Sequence, residues 1–403
     1  MPEPISARGG APRSLVPVLG LLSTFGPLAI DLYLPALPGL VVDLGATDSL
    51  AQFTIGAFML GLALGQLIIG PLSDRYGRRP LLLTGTALFV VLSIACALAP
   101  TIELLIATRL VQGAVGAAGI VMGRAIIRDV LIGDAAARAF ALFGAIIGIA
   151  PVIAPIIGAG LLQVTDWRGL FVALAVMGAG LTTLAALAVP ETLPPERRTP
   201  AGLRAQLGSI VDVLRNRRFV ACVAVLALAS LGLFAYISMS SLVLQHEFDF
   251  DEGGFAIVFA VNGVGIMVGS MASRALTGPW SAARLALVGV SIGAVGSVAL
   301  LVGALVGAPL IVLLAAMFVT VLVHGANLGN LTALGMTAID RGAGTAAAVL
   351  GALQMSVGAI VPPLASIGGV SSIVMGATMS AGLVGALALL LVIRRRDGGA
   401  ARR

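Results

Sequence analysis

Apolar residues fall into twelve long runs, each cut off by a short cluster of charge, Pro and Gly. They lie at approximately 14–38, 50–72, 80–99, 102–124, 137–162 and 168–189, and then at 218–243, 253–273, 284–305, 308–336, 343–367 and 370–393. Each is near the length of about 20 residues that crosses roughly 30 Å of hydrocarbon. In lipid every backbone N–H and C=O must find its partner within the segment, and these runs are too long and continuous for barrel strands. The pattern therefore predicts an all-α membrane protein with twelve transmembrane helices. The first run begins at Leu15, behind Arg8 and Arg13, and superficially resembles a signal peptide. It continues past Ile30, holds Pro27 and Asp31 and offers no convincing cleavage site, so it is read as the first span.

Composition agrees with this reading and excludes others. The chain is 59% hydrophobic and 10% charged, with a mean hydropathy of +1.09. A soluble domain carries about 25% charged residues. All 24 basic residues are Arg, and 22 of them fall in the segments that an even number of spans places on one side. The positive-inside rule makes that side cytoplasmic, with both termini there. The net charge of +6 is thus explained by topology, and no folded basic stripe exists for nucleic acid. Cys96 and Cys222 lie far apart in apolar runs with no metal or disulfide spacing. Only His246 and His324 are available as histidines, and no nucleophile or metal-ligand constellation accompanies them, so no catalytic residues and no metal are expected.

The polar stretch beginning Pro190-Glu-Thr-Leu-Pro-Pro divides the chain into an N-terminal six-helix bundle (1–190), a cytoplasmic linker (191–217) and a C-terminal six-helix bundle with a short basic tail (218–403). The halves echo one another weakly. Gly70-Pro-Leu-Ser-Asp74-Arg75 after span two faces Gly269-Ser-Met-Ala-Ser273-Arg274 after span eight. Duplicated halves around a midplane site are the plan of many secondary transporters.

Few polar groups lie at membrane depth. Asp31 stands about 16 residues into span one, roughly 24 Å from its cytoplasmic end. A carboxylate there costs about 2.5–3.5 kcal/mol or more unless it is protonated or partnered. Arg109 enters span four from outside, about 8 residues or roughly 12 Å below Thr101. The two are expected at similar depth and facing each other, either as an exchangeable proton site or as a static ion pair between helices. Span five carries Gly144 and Gly148, then Pro151 and Pro155, each pair on one helical face, followed by Gly158. Small residues permit close helix approach and prolines bend the helix; ordinary packing is the alternative. Candidate cavity liners are Tyr33, Phe58, Gln112, Phe234, Tyr236, Asn327 and Gln354. For the polar residues of the second half, helix-to-helix hydrogen bonding is an equal reading. Aromatic residues are only 5% of the chain, so no aromatic cage for a cation is indicated.

The hairpin Gly70-x-x-x-Asp74-Arg75-x-Gly77-Arg78-Arg79 resembles the signature of the major facilitator superfamily between spans two and three. Ile30-Asp-Leu-Tyr-Leu-Pro-Ala-Leu-Pro38, Arg109-Leu-Val-Gln-Gly113 with Arg124-Ala-Ile-Ile-Arg-Asp129, and Ala150-Pro-Val-Ile-Ala-Pro-Ile-Ile-Gly158 narrow the resemblance. They are similar to the Bcr/CflA-type drug:proton antiporters of bicyclomycin and chloramphenicol resistance. The resemblance spans essentially the whole chain, with its specific motifs in the first half. It implies a proton-coupled exporter working by alternating access in a bacterial inner membrane. Such a protein is driven by the proton motive force without a cofactor, carries a small amphipathic substrate, and is a monomer by family default. It implies proton coupling at Asp31 and Arg109 and a cytoplasmic gate formed by Gly70, Asp74, Arg75, Gly77, Arg78, Arg79 and Asp129. In that gate Arg78 pairs with Asp129, and Asp74 meets the start of span eleven near Gly342 to Gly344. Span five has Ala154 and Ala159 where the superfamily usually has Gly. Export of a natural metabolite is the alternative function; a membrane enzyme or a non-transporting sensor finds little support in the residues.

Overall fold

The computed structural model describes residues 14–198, 203–339 and 342–400. Arg8, Arg13, Arg341, Arg402 and Arg403, all counted on the cytoplasmic side above, lie outside the described residues, as do residues 199–202. Fifteen α-helices follow in order: α1 (Leu15–Ser23), α2 (Phe25–Asp31), α3 (Leu37–Asp43), α4 (Asp48–Tyr76), α5 (Arg78–Ala97), α6 (Ile102–Val130), α7 (Gly133–Leu162), α8 (Trp167–Ala188), α9 (Leu203–Arg215), α10 (Arg217–Leu242), α11 (Glu252–Leu276), α12 (Ala282–Leu305), α13 (Leu310–Met336), α14 (Ala343–Ala365) and α15 (Ser372–Ala400). No strand occurs among the described residues. Twelve stretches are long and apolar enough to cross a bilayer. They match the twelve runs read from the sequence, most extending a few residues into the polar flanks. The additional helix, α9, lies in the polar linker.

Span one is broken where its prolines dictate. α1, α2, a 3₁₀ turn (Leu34–Ala36) and α3 succeed one another over Leu15–Asp43. Pro35 has no N–H to give the carbonyl of Asp31, four residues earlier, so the α ladder cannot continue through that point. Asp31 is the last residue of α2 and thus sits at the break.

Packing divides the chain into two units, Met1–Ala36 with Ala57–Leu207 and Leu37–Gly56 with Gly208–Arg403. The segment Leu37–Gly56 therefore joins the second unit, although it precedes the linker in sequence. Local contacts explain why. Ser49 Oγ donates to the Pro363 carbonyl at 2.9 Å. Gln52 Oε1 accepts from Ser238 Oγ at 3.1 Å and from Ser366 Oγ at 2.9 Å. Gly56 lies so close to the Ala359 carbonyl that a Cβ would collide with it.

In the first unit α4 and α6 are joined along a glycine seam. A Cβ at Gly61 would strike the Leu110 carbonyl, and one at Gly113 the Phe58 carbonyl. Small residues let backbones touch where lipid supplies no hydrophobic drive. In the second unit Phe219, Val225, Leu226, Val290, Ala346 and Ala386 lie in the buried core between α10, α12, α14 and α15. The outward surface is apolar in both units: Val176 (69%), Leu187 (83%) and Val295 (71%) are exposed, as a lipid-facing surface requires.

Candidate functional site

Arg109 is wholly buried, and its guanidinium is held entirely within the first unit. Nη1 donates to Gln112 Oε1 at 2.8 Å and Nη2 to the Ala29 carbonyl at 2.9 Å. Tyr33 supplies a further hydrogen bond. Three rings surround the cation, with centroids 4.2 Å (Phe58), 4.9 Å (Tyr33) and 5.5 Å (Phe171) from Cζ. Gln112 passes the network on, its Nε2 donating to Ser93 Oγ at 2.8 Å. Ring quadrupoles and oriented carbonyl dipoles here replace a counter-ion.

Two sequence expectations are corrected by this arrangement. Arg109 does not pair with Asp31. Asp31 is 4% exposed, and its carboxylate makes no ion pair or hydrogen bond among the described residues. The Ala29 carbonyl, two residues before Asp31 in the same helix, takes the guanidinium instead. Secondly, an aromatic cage does exist. Tyr33 and Phe58, expected to line a cavity, are fully buried and enclose the protein's own Arg109. Gln112, also an expected liner, is fully buried in the same network.

At the other end of the unit the hairpin between α4 and α5 is ionic. Arg78 Nη1 lies 2.6 Å from Asp74 Oδ1 and Nε lies 3.0 Å from Asp129 Oδ2. Nη1 also donates to Ser73 Oγ at 2.6 Å. Arg79 Nη2 donates to the Ala186 carbonyl at 2.7 Å. Arg75 is exposed and stacks its guanidinium 5.2 Å from the ring of Tyr76. Gly77 adopts φ +102°, a conformation side chains rarely take, and breaks α4 from α5. Nothing lies within 4 Å of where a Cβ at Gly70 would stand, so Gly70 provides no close helix contact.

Span five is mixed. Gly158 is pressed against the Leu32 carbonyl, and Ala154, Pro155 and Ala159 are buried around it. Gly144 and Gly148 face open space and do not supply the helix contact expected of them. In the second unit Phe234 is packed against Gly358, Tyr236 stacks on Phe259 at 5.2 Å, and Gln354 Nε2 donates to Ser230 Oγ at 2.8 Å. Asn327 is 1% exposed with neither amide atom hydrogen-bonded, its oxygen facing the backbone of Gly289. The second unit's liners are thus mostly engaged in helix packing.

Sequence reasoning missed Ser73, Phe171, Glu191 and Thr192. Glu191 was visible as an acid at the end of span six, but only the folded chain shows that it reaches the hairpin, where its Oε1 accepts from the Arg78 N–H at 3.0 Å. Phe171 carried no signal beyond its place in an apolar run. Among the described residues no group of His, Cys, Asp and Glu is arranged to hold a metal.

The chain matches the family model of the Major Facilitator Superfamily over residues 19–363. It is 35% identical over 384 residues to the MFS-type transporter YdgK of Bacillus subtilis, itself uncharacterized, covering 94% of this chain and 96% of YdgK. It is 31% identical over 235 residues to the multidrug resistance protein MdtL of Escherichia coli, covering 58% of this chain and 59% of MdtL. Its fold is similar to the crystal structure of a D-xylose-proton symporter, with a TM-score of 0.72 at 17% identity over 93% of this chain and 95% of that one.

Proposed function

Because this chain belongs to the Major Facilitator Superfamily, whose members are transporters and not enzymes, we propose that it is a drug:proton antiporter of the Bcr/CflA type. It is a multi-pass protein of the bacterial inner membrane. In this reading it exports small amphipathic toxic compounds by alternating access, as a monomer, driven by the proton motive force and without a cofactor. The similarity to a multidrug resistance protein supports the cargo class.

Asp31 carries the reading. It is a membrane-depth carboxylate, buried at a helix break, with no cation paired to it among the described residues. An ionised carboxylate so placed costs at least about 2.5–3.5 kcal/mol, and one proton removes that cost. Intramembrane acids at discontinuous helices are where secondary transporters bind coupling ions. Asp31 takes a proton from the acidic outer side and releases it inward as substrate is exchanged, at about one proton per cycle, since one such carboxylate stands among the described residues. Arg109, fixed by its rings and carbonyls, sets the field of the first unit instead of forming a permanent pair with Asp31.

The test is reconstitution in liposomes with an acidic lumen, following luminal pH as candidate antibiotics are added. Compound-triggered proton efflux in wild type that is lost in Asp31→Asn is the expected result. Equal coupling in the variant removes Asp31 from the mechanism. Proton movement triggered by amino acids or biosynthetic products, and by no antibiotic, replaces drug export with metabolite export.

A further inference from the structure

Helix α5 begins abruptly after Gly77, whose N–H is already bonded to the Ser73 carbonyl at 3.0 Å. The first turn of a helix leaves N–H groups without intrahelical partners. Here Pro80 has none to leave, so the donors awaiting a cap are those of Arg78 and Arg79. Gly77 has no side chain to cap them. Both donate to one carboxylate 112 to 113 residues away in sequence: Arg78 N–H to Glu191 Oε1 at 3.0 Å and Arg79 N–H to Glu191 Oε2 at 3.3 Å. The negative charge also sits at the positive end of the helix dipole.

The same carboxylate shapes the start of the linker. Oε1 accepts from the N–H groups of Thr192 and Leu193, each at 2.9 Å. Oε2 lies 3.9 Å from Arg198 Nη2. Thr192, 5% exposed, donates its hydroxyl to Asp129 Oδ2 at 3.2 Å, the same oxygen that receives Arg78 Nε. Thr101, Asp166, Asn216, Asp251 and Ser281 cap their own helices locally, while Glu247 accepts from the Ser372 N–H at the start of α15 at 2.6 Å, a second remote carboxylate. Only a remote cap makes the start of span three depend on where the linker is.

We propose that Glu191 is a positioning residue for transport: it clamps the first residues of the linker to the start of span three, so that the Arg78–Asp129 ion pair cannot open without releasing the linker. The inference rests on the transporter reading for its functional meaning, but not for its structural test. Glu191 touches no substrate and acts through Arg78 and Asp129.

Amide hydrogen exchange on the full-length protein, without substrate, tests the clamp. Glu191→Ala is expected to speed exchange in peptides covering residues 76–82 and 190–195 while the spans keep their protection. Asp129→Asn is expected to do the same at 190–195, through Thr192. Unchanged exchange at these amides in Glu191→Ala, or loss of protection spread through the spans, overturns the proposal. In transport, Glu191→Ala is expected to lower Vmax about tenfold per amount of folded protein while KM for the drug stays within about twofold. Glu191→Gln, which keeps the Oε1 acceptor, is expected to restore part of the rate. The Glu191→Ala, Asp129→Asn double variant is expected to be no slower than Asp129→Asn, because both break one device. Multiplying defects, or a change in KM alone, overturn it. If wild type moves no compound, the function proposed above fails, while the exchange measurement still decides the clamp.

Discussion

The two hairpins that follow spans two and eight echo one another weakly in sequence and are built by different chemistry. Each has a glycine of positive φ, Gly77 at +102° and Gly278 at +119°. Asp74 of the first corresponds to Ser273 of the second. In the first hairpin Arg78 is held between Asp74 and Asp129, and span three is capped by Glu191 from beyond span six. In the second, Asn330 Nδ2 donates to Ser273 Oγ at 2.8 Å, Ser281 caps span nine locally, and Arg284 stacks 4.3 Å from the Trp280 ring. Ion pairs hold the first hairpin, whereas a neutral hydrogen bond, a local cap and a cation–ring stack hold the second. The same asymmetry runs at membrane depth, with Asp31 and Arg109 in the first unit and the neutral Asn262, Asn327 and Gln354 in the second. In the proposed function the chemistry of coupling is thus concentrated in the first unit.

The largest expected effect breaks or confirms that asymmetry directly. Asp31→Asn removes the exchangeable proton and is expected to abolish drug-triggered proton efflux, a loss of at least about tenfold. Asn327→Ala is expected to leave proton coupling in place, whatever it does to drug affinity. Coupling lost in Asn327→Ala and kept in Asp31→Asn would reverse the comparison. Next, Arg78→Ala strands two carboxylates. Hydrogen bonds to charged groups are worth about 1.5–3 kcal/mol each, so a ten- to hundredfold slower transport rate is expected. Its neutral counterpart, Asn330→Ala, gives up a bond of about 1 kcal/mol and is expected to change the rate by less than about fivefold.

Smaller effects sharpen the same contrast at the level of stability. Gly77→Ala and Gly278→Ala each force a side chain into positive φ, at about 1 kcal/mol. Gly77→Ala also drives a Cβ into the Glu191 carboxylate, whereas nothing lies within 4 Å at Gly278. The thermal midpoint should therefore fall further for Gly77→Ala. Equal shifts would argue against the Glu191 contact. Ser281→Ala removes a local cap worth about 1 kcal/mol and is expected to leave transport unchanged.

The spans and their order could be read in advance because each follows from local physics. A run of about 20 apolar residues must be a helix in lipid, and arginines mark the inner ends. The hairpin motif and the Arg78–Asp129 partnership were readable through resemblance. Pairing of Asp31 with Arg109 was wrongly expected, because depth along two helices says nothing about rotation around them. The Ala29 carbonyl, Gln112 and three rings hold the Arg109 guanidinium instead. Gly144 and Gly148 were read as contact glycines from spacing, yet their faces meet open space, while Gly61, Gly113 and Gly158 make close approaches.

The sequence alone was enough to show twelve apolar runs of membrane length, 22 of 24 arginines in the segments of one side, and one carboxylate and one arginine deep within the runs. Hydrophobicity and charge act residue by residue against the bilayer, so their pattern needs no knowledge of neighbours. Only the tertiary structure decided who satisfies whom: that Arg109 is neutralised by rings and carbonyls, that Asp31 is left without a cation, and that Glu191 caps a helix over a hundred residues away. Buried polar groups must be satisfied by whatever the fold brings within about 3 Å. That proximity is a property of helix rotation and packing, which no pattern along the chain encodes.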